Sequence, residues 1–123
     1  MEGGVEKDFF CPLDGPHGEL MIQSLKNNGI KTVILSGIET HICILLTAEA
    51  LIRNGFQVIL PRESTMSLEE ENYQWALHEL LFLGCRVTSL ETLLFSLVKS
   101  YRSPHFSWLS QGIKGWKREW NTV

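Results

Sequence analysis

No stretch of this chain approaches the ~20 consecutive apolar residues that a bilayer-spanning helix needs, so no membrane partner is expected. Its opening residues, MEGGVEKDFF, hold no basic segment followed by an apolar core. No secretory signal is read there, and a cytoplasmic location is expected. Positive charge is not in excess: 11 Lys and Arg stand against 14 Asp and Glu, a net charge of -3. A nucleic-acid-binding domain would show a pI above ~9, so no nucleic-acid partner is expected either. Cysteine is sparse. Cys11, Cys43 and Cys85 form an odd, widely spaced set with no CxxC pair, as reduced thiols do. His17, His41, His78 and His105 are scattered without metal-ligand spacing, so neither a metal nor a cofactor is expected. Repeats and low-complexity tracts are absent. What remains is 123 residues, 44% hydrophobic and 20% charged, which fits one ordinary globular domain.

Strands and helices alternate along that domain. KTVILS at 31–36 is a near-continuous β-branched run, as expected for a strand buried on both faces of a parallel sheet. Before it, 19–28 places Leu20, Met21, Ile22 and Leu25 on a helical face and ends at Asn27, Asn28 and Gly29. After it, a turn at Gly37-Ile38-Glu39-Thr40 offers Thr40 as N-cap for a helix over 41–54, stopped by Gly55. A strand at 57–60 follows. Ser67 with Glu70 forms a capping-box pattern for a helix to about residue 83, stopped by Gly84. A third strand at 86–88 leads to a helix at 90–99, capped by Thr88 or Ser89. Beyond Tyr101 the tail, with Pro104, Gly112 and Gly115, reads as irregular. The fold class expected is α/β, a three-layer αβα sheet built from parallel βαβ crossovers. Ligands of such sheets bind at the carboxyl ends of the strands, which here means residues 36–43, 61–67 and 88–91.

Cys43 falls in the first turn of a helix that begins at the end of a strand. The free N–H groups and dipole there favour a thiolate, and cysteines so placed can have pKa values lowered to ~3.5–7.5. The same N–H groups suit an oxyanion formed when the thiolate attacks a carbonyl carbon. The alternative is a small apolar side chain packed under the helix. A flavodoxin-like nucleotide binder would need a glycine-rich phosphate loop, which Gly37-Ile38-Glu39-Thr40 is not.

The segment GIETHIC resembles the nucleophile motif of the isochorismatase-like cysteine hydrolases: strand, glycine, aliphatic residue, variable residue, Thr, two variable residues, Cys. Its flanks, KTVILSGIETHICILLTAEALIRNGFQVIL and ALHELLFLGCRVTSLETLLFSLV, are similar to the animal isochorismatase domain-containing proteins. The resemblance runs from about residue 7 to 106. It implies an isochorismatase-like sheet, Rossmann-like and doubly wound, over 1–100, with 101–123 as a C-terminal extension. It also implies a Cys–Asp–Lys triad with Cys43 as nucleophile and Lys7 as the lysine, in Lys7-Asp8-Phe9-Phe10-Cys11. The family's Asp lies at the end of a strand well upstream of the lysine. This sequence starts six residues before Lys7, so no position inherits that role, and the chain is read as N-terminally shortened.

The resemblance further implies a cis peptide at Ile38–Glu39, with the N–H groups of Glu39 and Cys43 forming the oxyanion hole. Thr40, His41 and Glu63 are the expected substrate-pocket residues. Two functions are carried forward. One is a cysteine hydrolase acting on a small amide, ester or enol-ether-type substrate. The other is a catalytically deficient shortened homologue that serves as a binding or oligomerising partner. A small-molecule substrate and a homo-oligomer are expected, and Trp108, Trp116 and Trp120 are read as packing of the extension or a subunit interface.

Overall fold

The computed structural model describes residues 9–121, and of residues 120 and 121 the backbone alone. Lys7 therefore lies outside the described residues. The chain divides into two compact units, Met1–Thr88 and Ser89–Val123. The 90s helix lies in the second unit, where it pairs with a helix in the tail.

In the first unit the order is α1 (Gly18–Asn27), β1 (Thr32–Ile34), β2 (Gly37–Ile38), a π-helical turn (Thr40–Ile44), α2 (Leu45–Arg53) and β3 (Gln57–Pro61). A 3₁₀ turn (Arg62–Ser64), β4 (Thr65–Met66), α3 (Glu70–Phe82) and β5 (Arg86–Thr88) complete it. The expected helices and strands are all present. The structure is mixed α/β with parallel pairing throughout: β1-β3-β5 form one sheet and β2-β4 a two-stranded ladder. The three helices close alike. After α2, Gly55 N–H bonds Ile52 O and Phe56 N–H bonds Leu51 O; after α3, Gly84 and Cys85 do the same to Leu81 and Leu80. This doubly bonded end needs a left-handed residue, and Gly55 and Gly84 supply φ of 88° and 95°. The residue that follows each glycine is buried, so each stop also seeds the core.

That core consists of Ala48 and Leu51 of α2, Leu80 of α3, and Val58 and Leu60 of β3, with Ile44, Phe56 and Cys85. Ile22 and Leu25 of α1 pack against the same cluster. Both β-α-β crossovers step in one direction across the sheet, and a right-handed crossover then puts both helices on one face. The opposite face carries Thr32, Ile34, Gln57, Ile59 and Arg86. The 31–36 strand is accordingly not buried on both faces. It is the sheet edge, with Ile34 48% exposed.

The second unit pairs α4 (Leu90–Val98) with α5 (Phe106–Asn121). Ser89 caps α4 by accepting the Thr92 N–H at 3.1 Å, as one of the two expected caps. The tail expected to be irregular is a 16-residue helix. Its apolar residues Phe106, Leu109, Ile113 and Trp116 recur every three or four positions, and Leu109 and Ile113 are buried. Lys117 Nζ pairs with Glu91 Oε2 of α4 at 2.7 Å. These contacts outweigh the ~1 kcal/mol that each of Gly112 and Gly115 costs within a helix.

Candidate active site

The carboxyl end of β1 leads through Leu35 and Ser36 into β2 and then into the turn that holds Cys43. The Ile38–Glu39 peptide is cis, at the position that the sequence resemblance implied. Glu39 O then accepts from Ile42 N at 3.1 Å and from Ile44 N at 3.2 Å. The second bond spans five residues, which makes the turn π-helical and widens the chain where Cys43 sits. Thr47 Oγ1 donates to Cys43 O at 2.6 Å and ties the turn to α2. Cys43 is partly buried, between the two extremes of a core thiol and a free surface one.

Three side-chain links hold this turn against β4 and the residues after it. Thr40 Oγ1 and Thr65 Oγ1 are bonded at 2.8 Å in a fully buried pair. His41 Nδ1 lies 2.8 Å from Ser67 Oγ. Glu39 Oε2 accepts the Leu68 N–H at 3.1 Å and stands 3.8 Å from His41 Nδ1, so a protonated imidazole would form an ion pair there. Beside these links an open cavity of about 210 Å³ is walled by Ile38, Met66 and Leu68, with Glu39 as its charged member.

Several expected roles change on this geometry. Thr40 does not hold the N-cap. Glu39 holds the N-cap position without a side-chain bond, and burial commits the Thr40 hydroxyl to Thr65. Ser67 does not cap the next helix, whose N-cap is Glu69; its hydroxyl serves His41 instead. Glu63 sits in the 3₁₀ turn after β3, where its carboxylate pairs with Arg62 Nε at 3.5 Å. Glu39, His41 and Cys43 are gathered on one turn. Thr65 and Ser67 fall in the strand-end segment 61–67 named from the sequence, where Ser67 reads as a helix cap; the Leu68 N–H carries no role assigned there. No periodic signal marks their pairing with the Cys43 turn, because β4 has only two residues. Among the described residues no group of three or more His, Cys, Asp or Glu is placed to hold a metal ion.

The other two thiols differ from Cys43. Cys11 and Cys85 are buried, and burial pushes the Cys85 thiol up to about 11 from its ordinary 9.0.

Comparison with known proteins gives a concordant result. Residues 5–92 match the model of the isochorismatase domain. The chain is 34% identical over 88 residues to isochorismatase family protein 2A of Dictyostelium discoideum, covering 70% of this chain and 44% of that protein. It is 34% identical over 99 residues to isochorismatase domain-containing protein 1 of Salmo salar, covering 80% of this chain and 34% of the relative. The chain thus spans less than half the length of these two relatives. Among solved structures, an isochorismatase-like hydrolase from Alkaliphilus metalliredigens superposes with a TM-score of 0.68 at 27% identity, over 76% of this chain and 52% of that one. The β1–Cys43–α2 unit, the strand and helix that follow it, and a matched span of most of the chain lead to one statement: this protein belongs to the isochorismatase domain family.

Proposed function

We propose that this chain is an isochorismatase-like hydrolase in which Cys43 is the nucleophile toward a small amide, ester or enol-ether-type substrate. The observation that carries the proposal is the turn Thr40–Ile44, which presents Cys43 at the start of a helix and which, with Glu39 before it, is fastened to Thr65, Ser67 and Leu68. A helix start favours the thiolate over the thiol. The thiolate sulfur bonds to the carbonyl-type carbon, and the displaced electron pair moves onto oxygen. The N–H groups of Glu39 and Cys43 are the donors proposed for that oxyanion. Collapse expels the leaving group, which takes a proton from solvent water, and a further water adds to the thioester and displaces the sulfur as thiolate, releasing the acid. Lys7 is proposed as the lysine that positions the thiol, and the cavity of Ile38, Met66 and Leu68, with the Glu39 carboxylate at its wall, is proposed to take a small substrate body.

A second reading keeps the family's fold without its general acid–base. Loss of a general acid–base typically costs ~10²–10⁴ in rate. On that reading the chain is a catalytically deficient homologue that binds or self-associates.

One experiment separates the two. Steady-state hydrolysis of a panel of simple amides and esters is measured for the chain and for Cys43→Ala, with light scattering on both. The hydrolase reading expects turnover that falls by ~10³ or more in the variant. Turnover that Cys43→Ala leaves intact would sink it. Absence of turnover in both proteins, with a particle mass that is a multiple of the monomer's, supports the second reading.

A further inference from the structure

The carboxyl-terminal unit has properties that chemistry at Cys43 does not use. Residues 89–123 carry five Lys and Arg against two Asp and Glu, a net charge of +3, whereas residues 1–88 carry six against twelve. The acidic balance of the whole chain therefore conceals a basic end. On that end Trp108 is 76% exposed, Tyr101 72% and Leu97 61%. An apolar groove of about 230 Å³ lies between α4 and α5, lined by Leu90, Leu94, Trp108, Gly112, Ile113 and Trp116. The same unit carries its cations outward. Lys99, Arg102, Lys114 and Arg118 are exposed, and the Arg102 guanidinium sits 5.8 Å from the centre of the Tyr101 ring.

The arrangement on α5 is directional. At 3.6 residues per turn, Lys114, Arg118, Gly115 and Trp108 fall on the half of the helix opposite Leu109 and Ile113, which are buried. The outer face thus combines one large aromatic ring with two cations and the carboxylate of Glu119, while the inner face is spent on α4. A protein surface that presents Trp with Lys and Arg beside it suits the membrane interface rather than the membrane interior. Trp and Tyr rings sit at headgroup level there, and anionic headgroups attract nearby cations.

We propose that the α4–α5 unit docks on an anionic phospholipid surface, with Trp108 and Tyr101 at headgroup depth and Lys99, Arg102, Lys114 and Arg118 toward the lipid charges. The charge of the unit favours anionic over zwitterionic lipid. Its exposed Leu97, Trp108 and apolar groove favour a lipid over a polyanion such as nucleic acid, which offers charge without an apolar phase. The expectation of no membrane contact rested on the lack of a spanning run, and no helix among the described residues is long and apolar enough to cross a membrane. A helix lying in the interface needs no such run.

The test is co-sedimentation of the full chain with vesicles of phosphatidylcholine alone and of phosphatidylcholine with phosphatidylserine, followed also by tryptophan emission. Binding is expected only to the phosphatidylserine vesicles, with a blue shift that Trp108→Ala diminishes. Each of Lys114→Gln and Arg118→Gln should weaken partitioning by about fivefold, and added salt should do the same. All three positions are exposed, so circular dichroism should stay unchanged in the variants. Failure to bind phosphatidylserine vesicles overturns the proposal, as does equal binding to both vesicle types. Tight binding to heparin or DNA without vesicle binding would assign the cations to a polyanion and overturn it too.

Discussion

Thr40 and Thr65 share one buried hydrogen bond, and neither hydroxyl has water to fall back on. Removing one partner leaves the other donor or acceptor stranded, whereas removing both leaves an apolar contact. Thr65→Val is therefore expected to cost about 1–3 kcal/mol in urea unfolding. The Thr40→Val, Thr65→Val double variant should cost less than the sum of the singles, and strict additivity would refute the account. Cys85 answers to pH. Its native pKa is raised to about 11 from 9.0 by burial, so the folded state holds the thiol proton more tightly than the unfolded chain. That contribution is complete below about pH 9 and is lost as pH rises toward about 11, to the extent of up to about 2 kcal/mol. Tyr73, raised by burial and then by Glu70, acts in the same direction. Cys85→Ala should flatten the fall between about pH 8 and about pH 10.5 without abolishing it, as unfolding midpoints would report. At this scale the sequence disclosed Cys43 through its motif but mistook Ser67. The capping pattern Ser67–Glu70 is local, while the group that Ser67 serves, His41, lies 26 residues away.

Elements were legible where periodicity and stop signals coincide. α1, α2 and α3 each end on a glycine, and β3 reads as a short apolar run because Val58 and Leu60 are buried. β2 and β4 have two residues each, too few for any alternation to show, yet they frame the Cys43 turn. α5 was hidden by Gly112 and Gly115, whose low helix propensity is a local signal that pairing with α4 overrides. β1 was misjudged in the other direction. Its β-branched run signals strand correctly but does not say how many faces are covered. The difference has an energetic signature. Leu60→Ala, in the central strand, should cost about 2–5 kcal/mol, and Ile34→Ala at the half-exposed edge under about 1.5 kcal/mol. Equal costs in denaturant titration would contradict the one-faced sheet.

On the scale of the whole molecule, charge and topology tell of separate things. The division into an acidic unit and a basic one is invisible in the overall net charge of -3 and appears only once the boundary at Thr88 is drawn. Topology has a consequence in time. Thr32 pairs with Gln57, Gly37 with Thr65, and Ile59 with Arg86, so every strand docks on one made roughly 25 to 28 residues earlier. Among the described residues no strand waits for a distant partner, and none inserts between two already joined. As the ribosome releases the chain, β3 finds β1 already present and β5 finds β3, with α2 and α3 closing over each new pair in turn. The first unit can therefore be laid down in the order in which it is translated.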